Sequence, residues 1–367
     1  MYIYERADWP HLHWDTPSLY NVLADVRYLQ GRLIGQMEGL GFPSQEEAAL
    51  KNLTEDVVKS NEIEGEKLDA EAVRSSLARR LGLDIAGLIP SERHVDGVVD
   101  MMLDATRHYS LPLTDDRLFG WHSSLFPSGR SGMARIETGK WRDDRNGPMQ
   151  VVSGPMGHET VHYQAPPARR VEKEMAVYLN WFNKTTEIDP VLKAGVAHVW
   201  FLTVHPFDDG NGRIARAIAD LCLCRSENSA RRFYSLSAQI CRQRTAYYDI
   251  LEKTQKSTTD ITPWLVWFLN CQKNAIEGAE SLVRSVTIKA RFWSRVNDVT
   301  LNERQRKVLS RLLDGFDGKL TTSKWAKLTE SSQDTATRDI KDLTEKGILE
   351  RSSEGGRSTS YTLILGH

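Results

Sequence analysis

Apolar side chains recur at a helical interval through most of the chain, and a cap residue, glycine or proline stands at each break in the interval. Residues 18–40 are predicted as a first helix, with Gly41 just past its end. Ser44-Gln45-Glu46-Glu47 reads as a capping box that opens the next, whose stripe is Leu50, Leu53, Val57 and Val58. Asp69 caps a helix over 70–81 that Gly82 ends, and further helices are predicted over 91–108, 114–125 and 171–182. Residues 191–204 are apolar nearly all round, which predicts a buried helix. After His205-Pro206 breaks it, Ile214, Ala217, Ile218, Leu221 and Cys222 mark a new helix from Asn211. Others follow over 244–255 and 263–285, then over 300–313, over 321–329, and from Ser331/Ser332 to Lys346, ended by Gly347.

Strand signals are few. Residues 140–154 read as a hairpin turning at Asn146-Gly147, and residues 348–365 as two strands around Glu354-Gly355-Gly356-Arg357. Residues 2–15, with Tyr4, Trp9, His11, His13 and Trp14, read as a packed, strand-like arm. His11 and His13 have no evident third ligand, so this is not read as a metal site. The class is mainly α.

At 367 residues the chain has room for two or three domains. Its 48 Lys and Arg against 49 Asp and Glu give no global charge that points to nucleic acid or an anionic membrane. Cys222, Cys224, Cys241 and Cys271 show no C-x-x-C pairing and read as reduced thiols. Neither a signal-like apolar core near the N-terminus nor a membrane-spanning run is found, so a cytoplasmic protein without a membrane partner is expected.

Candidate chemistry concentrates in residues 205–216, His-Pro-Phe-Asp-Asp-Gly-Asn-Gly-Arg-Ile-Ala-Arg. Gly210 and Gly212 allow a tight turn whose N–H groups converge at a helix N-terminus, an anion site. Arg213 and Arg216, three apart on the first turn, share a face and can fork onto successive phosphate oxygens. Asp209 would repel a bare polyphosphate and makes sense if it holds a bridging divalent cation. His205 is the nearby group suited to general-base work near neutrality. Together these describe transfer of a phosphate-containing group. A dinucleotide fingerprint also fits residues 210–215, but no βαβ alternation follows and two aspartates precede the glycines, so that reading fails.

The same residues match, at every fixed position, the motif H-x-F-x-(D/E)-G-N-G-R-x-x-R, and the chain here resembles the Fic family. The resemblance implies AMP transfer from ATP to a Ser, Thr or Tyr hydroxyl of a target protein, or of the chain itself. It implies His205 as the base and Asp209 as the ligand of Mg²⁺ (or Mn²⁺). Gly210, Asn211, Gly212 and Arg213, with Ile214 and Ala215 on the same turn, would surround the phosphates, and Arg216 would hold the γ-phosphate. By the same resemblance Ser60, Glu64 and Gly65 match an inhibitory motif, (S/T)-x-x-x-E-(G/N), whose glutamate pairs with Arg216. The hairpin resembles a flap over the nucleotide, with Val151, Val152, Ser153 and Gly154 lining it and a target segment docked by strand addition. Tyr247, Tyr248 and Gln255 fall where relatives contact the nucleoside.

These features divide the chain into a helical arm over 1–67 with the inhibitory helix, a Fic core over 68–285 and a winged helix-turn-helix over 286–367. On the last unit Thr335, Thr337, Arg338 and Lys341 would lie on a recognition helix and Arg357 on the wing. Asp334, Asp339, Asp342 and Glu345 weaken that helix's basic face, so DNA and protein stand as equal partners. An autoinhibited protein adenylyltransferase therefore competes with a DNA-binding regulator that senses nucleotide, and removal of AMP from targets also stays open. A homodimer is compatible with every one of these readings.

Overall fold

The computed structural model describes residues 1–365 apart from 84, 86, 146, 155–157, 159, 314–317 and 353–358. It divides into two compact units, Met1–Glu280 and Ser281–His367.

The first unit is built around two helices that pack along each other, α7 and α8. Preceding them in chain order are α1 (Thr16–Glu38), α2 (Phe42–Ile63), α3 (Ala70–Leu81), α4 (Arg93–Arg107), α5 (Asp115–Leu125) and α6 (Ala168–Lys184). α7 (Pro190–Val204) is buried on nearly all sides, as its unbroken apolar run requires, and α8 (Asn211–Glu227) is buried from Asn211 to Cys224 except at Gly212. α9 (Leu236–Arg242), α10 (Arg244–Gln255) and α11 (Thr262–Arg295) complete the helices of this unit, the last continuing past its boundary. Small residues set the closest approaches. A Cβ on Gly195 of α7 would meet Leu265 Cδ2 at 2.9 Å, and Trp264 Nε1 donates to the Gly195 carbonyl at 2.8 Å. A Cβ on Gly97 of α4 would lie 1.8 Å from the Ser124 carbonyl oxygen of α5.

Side-chain caps start several helices where the sequence marks them: Asp69 accepts from the Glu71 amide at 2.9 Å and Thr114 from the Arg117 amide at 3.2 Å. Gly82 ends α3 in the left-handed conformation. α2 corrects the expected start. It opens after Gly41 with proline in its first turn, so Ser44 is already helical and no capping box forms there. Gln45 instead donates to the Leu40 carbonyl at 2.7 Å.

The N-terminal arm is a 3-10 turn, Ile3–Glu5, with a single bridge from His13 to Asp260, and not the expected strand. Its aromatic rings account for the difference: Tyr2 and Tyr4 turn in to meet Tyr163 edge-on at 5.2 and 6.3 Å. Among the described residues two strand pairs lie in this unit. β1 (Arg130–Ser131) and β2 (Ala134–Arg135) are short and were not expected. β3 (Gln150–Ser153) pairs antiparallel with β4 (Thr160–Gln164), with Val151 opposite Tyr163 and a bulge before Val152. Both paired strands of the hairpin therefore lie after Asn146-Gly147, the expected turn, of which Asn146 lies outside the described residues. Residues 140–145 cannot be its first strand, because the Arg142 amide donates to the Pro206 carbonyl at 2.9 Å and ties that segment to the catalytic-motif loop.

The second unit contains α12 (Glu303–Leu313), α13 (Thr322–Thr329), α14 (Gln333–Glu345) and an antiparallel pair, β5 (Leu349–Arg351) with β6 (Tyr361–Leu363). Trp325, Val308, Leu309, Ile340 and Leu343 form its core. Glu354, Gly355, Gly356 and Arg357 lie outside the described residues. Among the described residues no helix is long and apolar enough to cross a membrane.

The Gly97 contact is a test of the α4–α5 packing. Gly97→Ala should destabilise the protein by at least about 1–3 kcal/mol, the usual cost of overpacking, read as a lower thermal midpoint; an unchanged midpoint would contradict the packing.

Candidate active site

The loop between α7 and α8 is held from three directions. His205 ends α7 with φ 51°, a left-handed conformation that costs energy in a residue with a Cβ. Arg142 holds it there: its buried guanidinium donates through Nε to the His205 carbonyl at 2.7 Å. Asn211 clamps the turn from the other end, accepting from the Phe207 amide at 3.0 Å and donating to the Phe207 carbonyl at 2.8 Å. Gly210, at φ 79°, closes against Phe126, whose Cε2 a Cβ would approach to 2.9 Å. These bonds fix the loop without using the polar atoms of His205 Nε2 or the Asp209 carboxylate.

Above the loop lies a cleft of about 640 Å³ lined by Glu64, His205, Asp209, Gly212, the β3 residues and the aromatic face of α10. His205 Nδ1 faces the Leu202 carbonyl at 3.3 Å, so Nδ1 carries the hydrogen and Nε2 keeps its lone pair. Burial, with Arg142 adding to it, drops His205 from the usual 6.5 to about 4. It is thus a neutral acceptor at physiological pH, though a weaker base than expected from its residue type. Asp209 accepts from the Gly210 amide at 2.5 Å and from the Ser131 hydroxyl, and it remains partly exposed to the cleft.

Two arginines of α8 sit beneath the cleft, both about 1 % exposed and both bonded to the end of α2. Arg216 donates through Nε to Ser60 Oγ and through Nη2 to the Ser60 carbonyl, each at 2.8 Å, and through Nη2 to Glu64 Oε1 at 2.7 Å. Its Nη1 is buried with no hydrogen-bond partner. Burial alone would lower the Arg216 pKa, but the Glu64 carboxylate outweighs it and the net shift is upward. Glu64 caps α2, and Gly65 follows at φ 87°, which turns the chain away. Arg213 donates to Glu66 at 2.7 Å and stacks over Phe126 at 5.0 Å.

Residues 112–223 match the model of the Fic/DOC family, and residues 2–83 match that of a domain of unknown function, DUF4172. The chain carries a Fic/DOC domain. It is 30 % identical over 140 residues to a protein adenylyltransferase Fic of Nematostella vectensis, covering 37 % of this chain and 30 % of the relative. It is 41 % identical over 58 residues to the protein adenylyltransferase fic-1 of Caenorhabditis elegans, 15 % of this chain and 11 % of that protein. The chain thus spans less than a third of these relatives' lengths. A Fic family protein from Desulfovibrio desulfuricans shares the fold at a TM-score of 0.56 and 22 % identity, over 96 % of this chain and 97 % of that one. A Fic domain containing signaling protein from Bacteroides thetaiotaomicron does so at 0.52 and 18 %, over 71 % and 98 %.

Within the Fic domain the motif side chains divide into three sets. His205, Asp209 and Gly212 face the cleft. Arg213 and Arg216 are covered by acidic residues of the α2 end. Asn211, which also lines the cleft, spends its carboxamide on Phe207 and so holds the loop, and Ile214 and Ala215 are fully buried core residues. Val151, Val152 and Ser153 line the cleft from β3, with Gly154 just beyond at φ 104°. Tyr247 bonds its hydroxyl to His198 at 2.8 Å, Tyr248 donates to the Ile63 carbonyl at 3.3 Å, and Gln255 donates to the Leu202 carbonyl at 3.2 Å. Gln255 therefore meets the carbonyl that also orients His205.

Three contributors escape a reading of the sequence. Arg142 lies far from the motif in a charged run that looks solvated. Glu66 lies beyond the inhibitory triplet, and His94, 3.5 Å from it, sits on another helix. The His94 hydrogen bond, then the Arg213 charge, hold the Glu66 carboxyl below the usual carboxylate range against partial burial.

The His205 environment has a sign that can be measured. Because burial penalises the imidazolium, the folded ring should stay neutral as pH falls through 6.5 and take its proton only near pH 4. Imidazole ¹⁵N shifts followed over pH should show this; protonation near 6.5 would contradict the buried geometry.

Proposed function

We propose that the chain is an autoinhibited protein adenylyltransferase that moves AMP from ATP to a hydroxyl of a target protein. The observation that carries this reading is the convergence of a neutral imidazole with a free Nε2, a carboxylate and a helix N-terminus on one cleft large enough for a nucleotide. The names of the two curated relatives above, each a protein adenylyltransferase, support the same chemistry.

In this account the target hydroxyl gives its proton to His205 Nε2 as its oxygen attacks the α-phosphorus, and pyrophosphate leaves. Asp209 is the residue that would hold Mg²⁺ or Mn²⁺. A lone carboxylate suits such an ion, which keeps waters and takes substrate phosphates as its other ligands. The cation would neutralise phosphate charge. The free end of α8, with the Gly212 amide in its first turn, offers N–H groups to phosphate oxygens. Tyr248, 38 % exposed, offers its ring to the adenine, with the buried Tyr247 ring packed behind it at 5.2 Å between centroids. The exposed β3–β4 pair, with Val152 47 % and Val161 39 % exposed, suits an extended target segment.

Glu64 explains why the resting chain would be quiet. Its carboxylate, at the open mouth of the cleft, occupies the buried Arg216 guanidinium that a γ-phosphate would use. Removing the side chain frees that guanidinium and the space above Gly212, where a Cβ would now lie 2.2 Å from Glu64 Oε1. The second unit, three helices followed by a strand pair, is read as a docking module for DNA or another protein.

With radiolabelled ATP, Mg²⁺ and an added acceptor protein, Glu64→Gly should raise labelling of the added protein by at least about tenfold over wild type, and adding His205→Ala should remove about 100-fold or more of that transfer, as loss of a general base does. Equal labelling by wild type and Glu64→Gly at saturating ATP would refute the inhibition.

A further inference from the structure

A second hydroxyl–imidazole–carboxylate array lies in the same cleft and takes no part in the chemistry above. Ser153, the last residue of β3, has its Oγ 2.6 Å from His162 Nε2 on β4. His162 Nδ1 is 2.7 Å from Glu252 Oε2 on α10. Lys256 bonds the other oxygen of Glu252 at 2.5 Å, and this contact, then the one to His162, holds the Glu252 carboxyl below its usual range. Glu252 is therefore an acceptor, and the directions of all three bonds follow. His162 donates from Nδ1, its Nε2 accepts, and the Ser153 hydroxyl donates. A serine whose proton points at a histidine that a carboxylate orients is the arrangement of an activated nucleophile. Ser153 is exposed, and Ser153, His162, Glu252 and His205 all line the one cleft.

A plain structural bond between hairpin and helix would need only one polar contact, and two hydrocarbon side chains would seal it as well. Three aligned groups with the hydroxyl at the open end supply something more, a proton path leading away from an exposed oxygen. The electrophile expected in this cleft is the nucleotide's phosphoanhydride.

We propose that Ser153 is an internal acceptor of AMP, activated by His162 and Glu252 instead of by His205. The inference rests on the AMP-transfer reading. Ser153 Oγ forms a bond to the α-phosphorus of ATP while the bond from that phosphorus to the bridging oxygen breaks. Pyrophosphate leaves with the electron pair, and the hydroxyl proton passes to His162 Nε2, whose imidazolium is held by Glu252. The product is a phosphodiester on the flap at the mouth of the cleft, where it would stand in the way of an incoming target segment.

The test uses the full chain with ATP and Mg²⁺, mapping adenylate by mass spectrometry on the peptide between Arg145 and Arg169, with pyrophosphate release measured in parallel. Glu64→Gly and Glu64→Gly/His205→Ala should both carry adenylate on Ser153. Glu64→Gly/His162→Gln, which keeps a hydrogen-bonding side chain but no proton acceptor, should lose it by about 100-fold. Glu64→Gly/Ser153→Ala should leave that peptide unmodified. Pyrophosphate release by Glu64→Gly with Ser153 unmodified would overturn the inference and leave the AMP-transfer reading standing. Ser153 labelling that needs His205 but not His162 would overturn it equally. Neither pyrophosphate nor label on any residue of Glu64→Gly, with or without added protein hydroxyls, would overturn both.

Discussion

Everything in the site is arranged around a guanidinium that cannot reach water. Arg216 is buried on the second turn of α8, and burying a cation is costly unless it is paired and hydrogen-bonded. The end of α2 supplies the partners: a hydroxyl, a carbonyl and a carboxylate from Ser60 and Glu64. Because the helix ends there, with Gly65 turning the chain away, the carboxylate stands at the mouth of the cleft and not within the core. One nitrogen, Nη1, is left without a partner. A site that satisfies its arginine almost fully is stable without ligand, and a phosphate that claims the same arginine has to displace a carboxylate first.

The neighbouring arginine repeats the arrangement on a smaller scale. Arg213 takes its charge partner from Glu66, two residues beyond Glu64, and Glu66 in turn is shared with His94 of α4. Both guanidiniums are therefore tied to one short stretch of chain, 60–66. The loop that presents His205 depends on different groups, Arg142 and Asn211, which bond its backbone and not its reactive atoms. Structural and chemical duties are thus divided between side chains of the loop and an arginine brought to it from far along the chain.

Much of this was legible beforehand, for physical reasons that can be named. The run over 191–204 could only be a buried helix, and glycines flanking Asn211 could only start another at a tight turn. The spacing of Ser60, Glu64 and Gly65 put a carboxylate at a helix end, which is where it stands. Less legible were features decided by tertiary contact. That Asn211 also clamps the loop, through the backbone groups of Phe207, follows from where the turn folds and not from its place in the motif. Ile214 and Ala215 belong to the core because the opposite face of α8 carries the arginines. The hairpin moved because Arg142 was needed elsewhere, and the N-terminal arm curled because three tyrosines pack together. The strength of His205 as a base was also beyond the sequence, since burial and not residue type sets it.

The central claim is that the Glu64 carboxylate and the terminal phosphate of ATP compete for Arg216. Calorimetric titration of wild type and Glu64→Gln with ATP and with AMP, both with Mg²⁺, tests it without relying on turnover. Neutralising the carboxylate should tighten ATP by about tenfold, the factor that about 1.4 kcal/mol represents, and leave AMP unchanged. Equal effects on the two nucleotides, or none on ATP, would contradict the account.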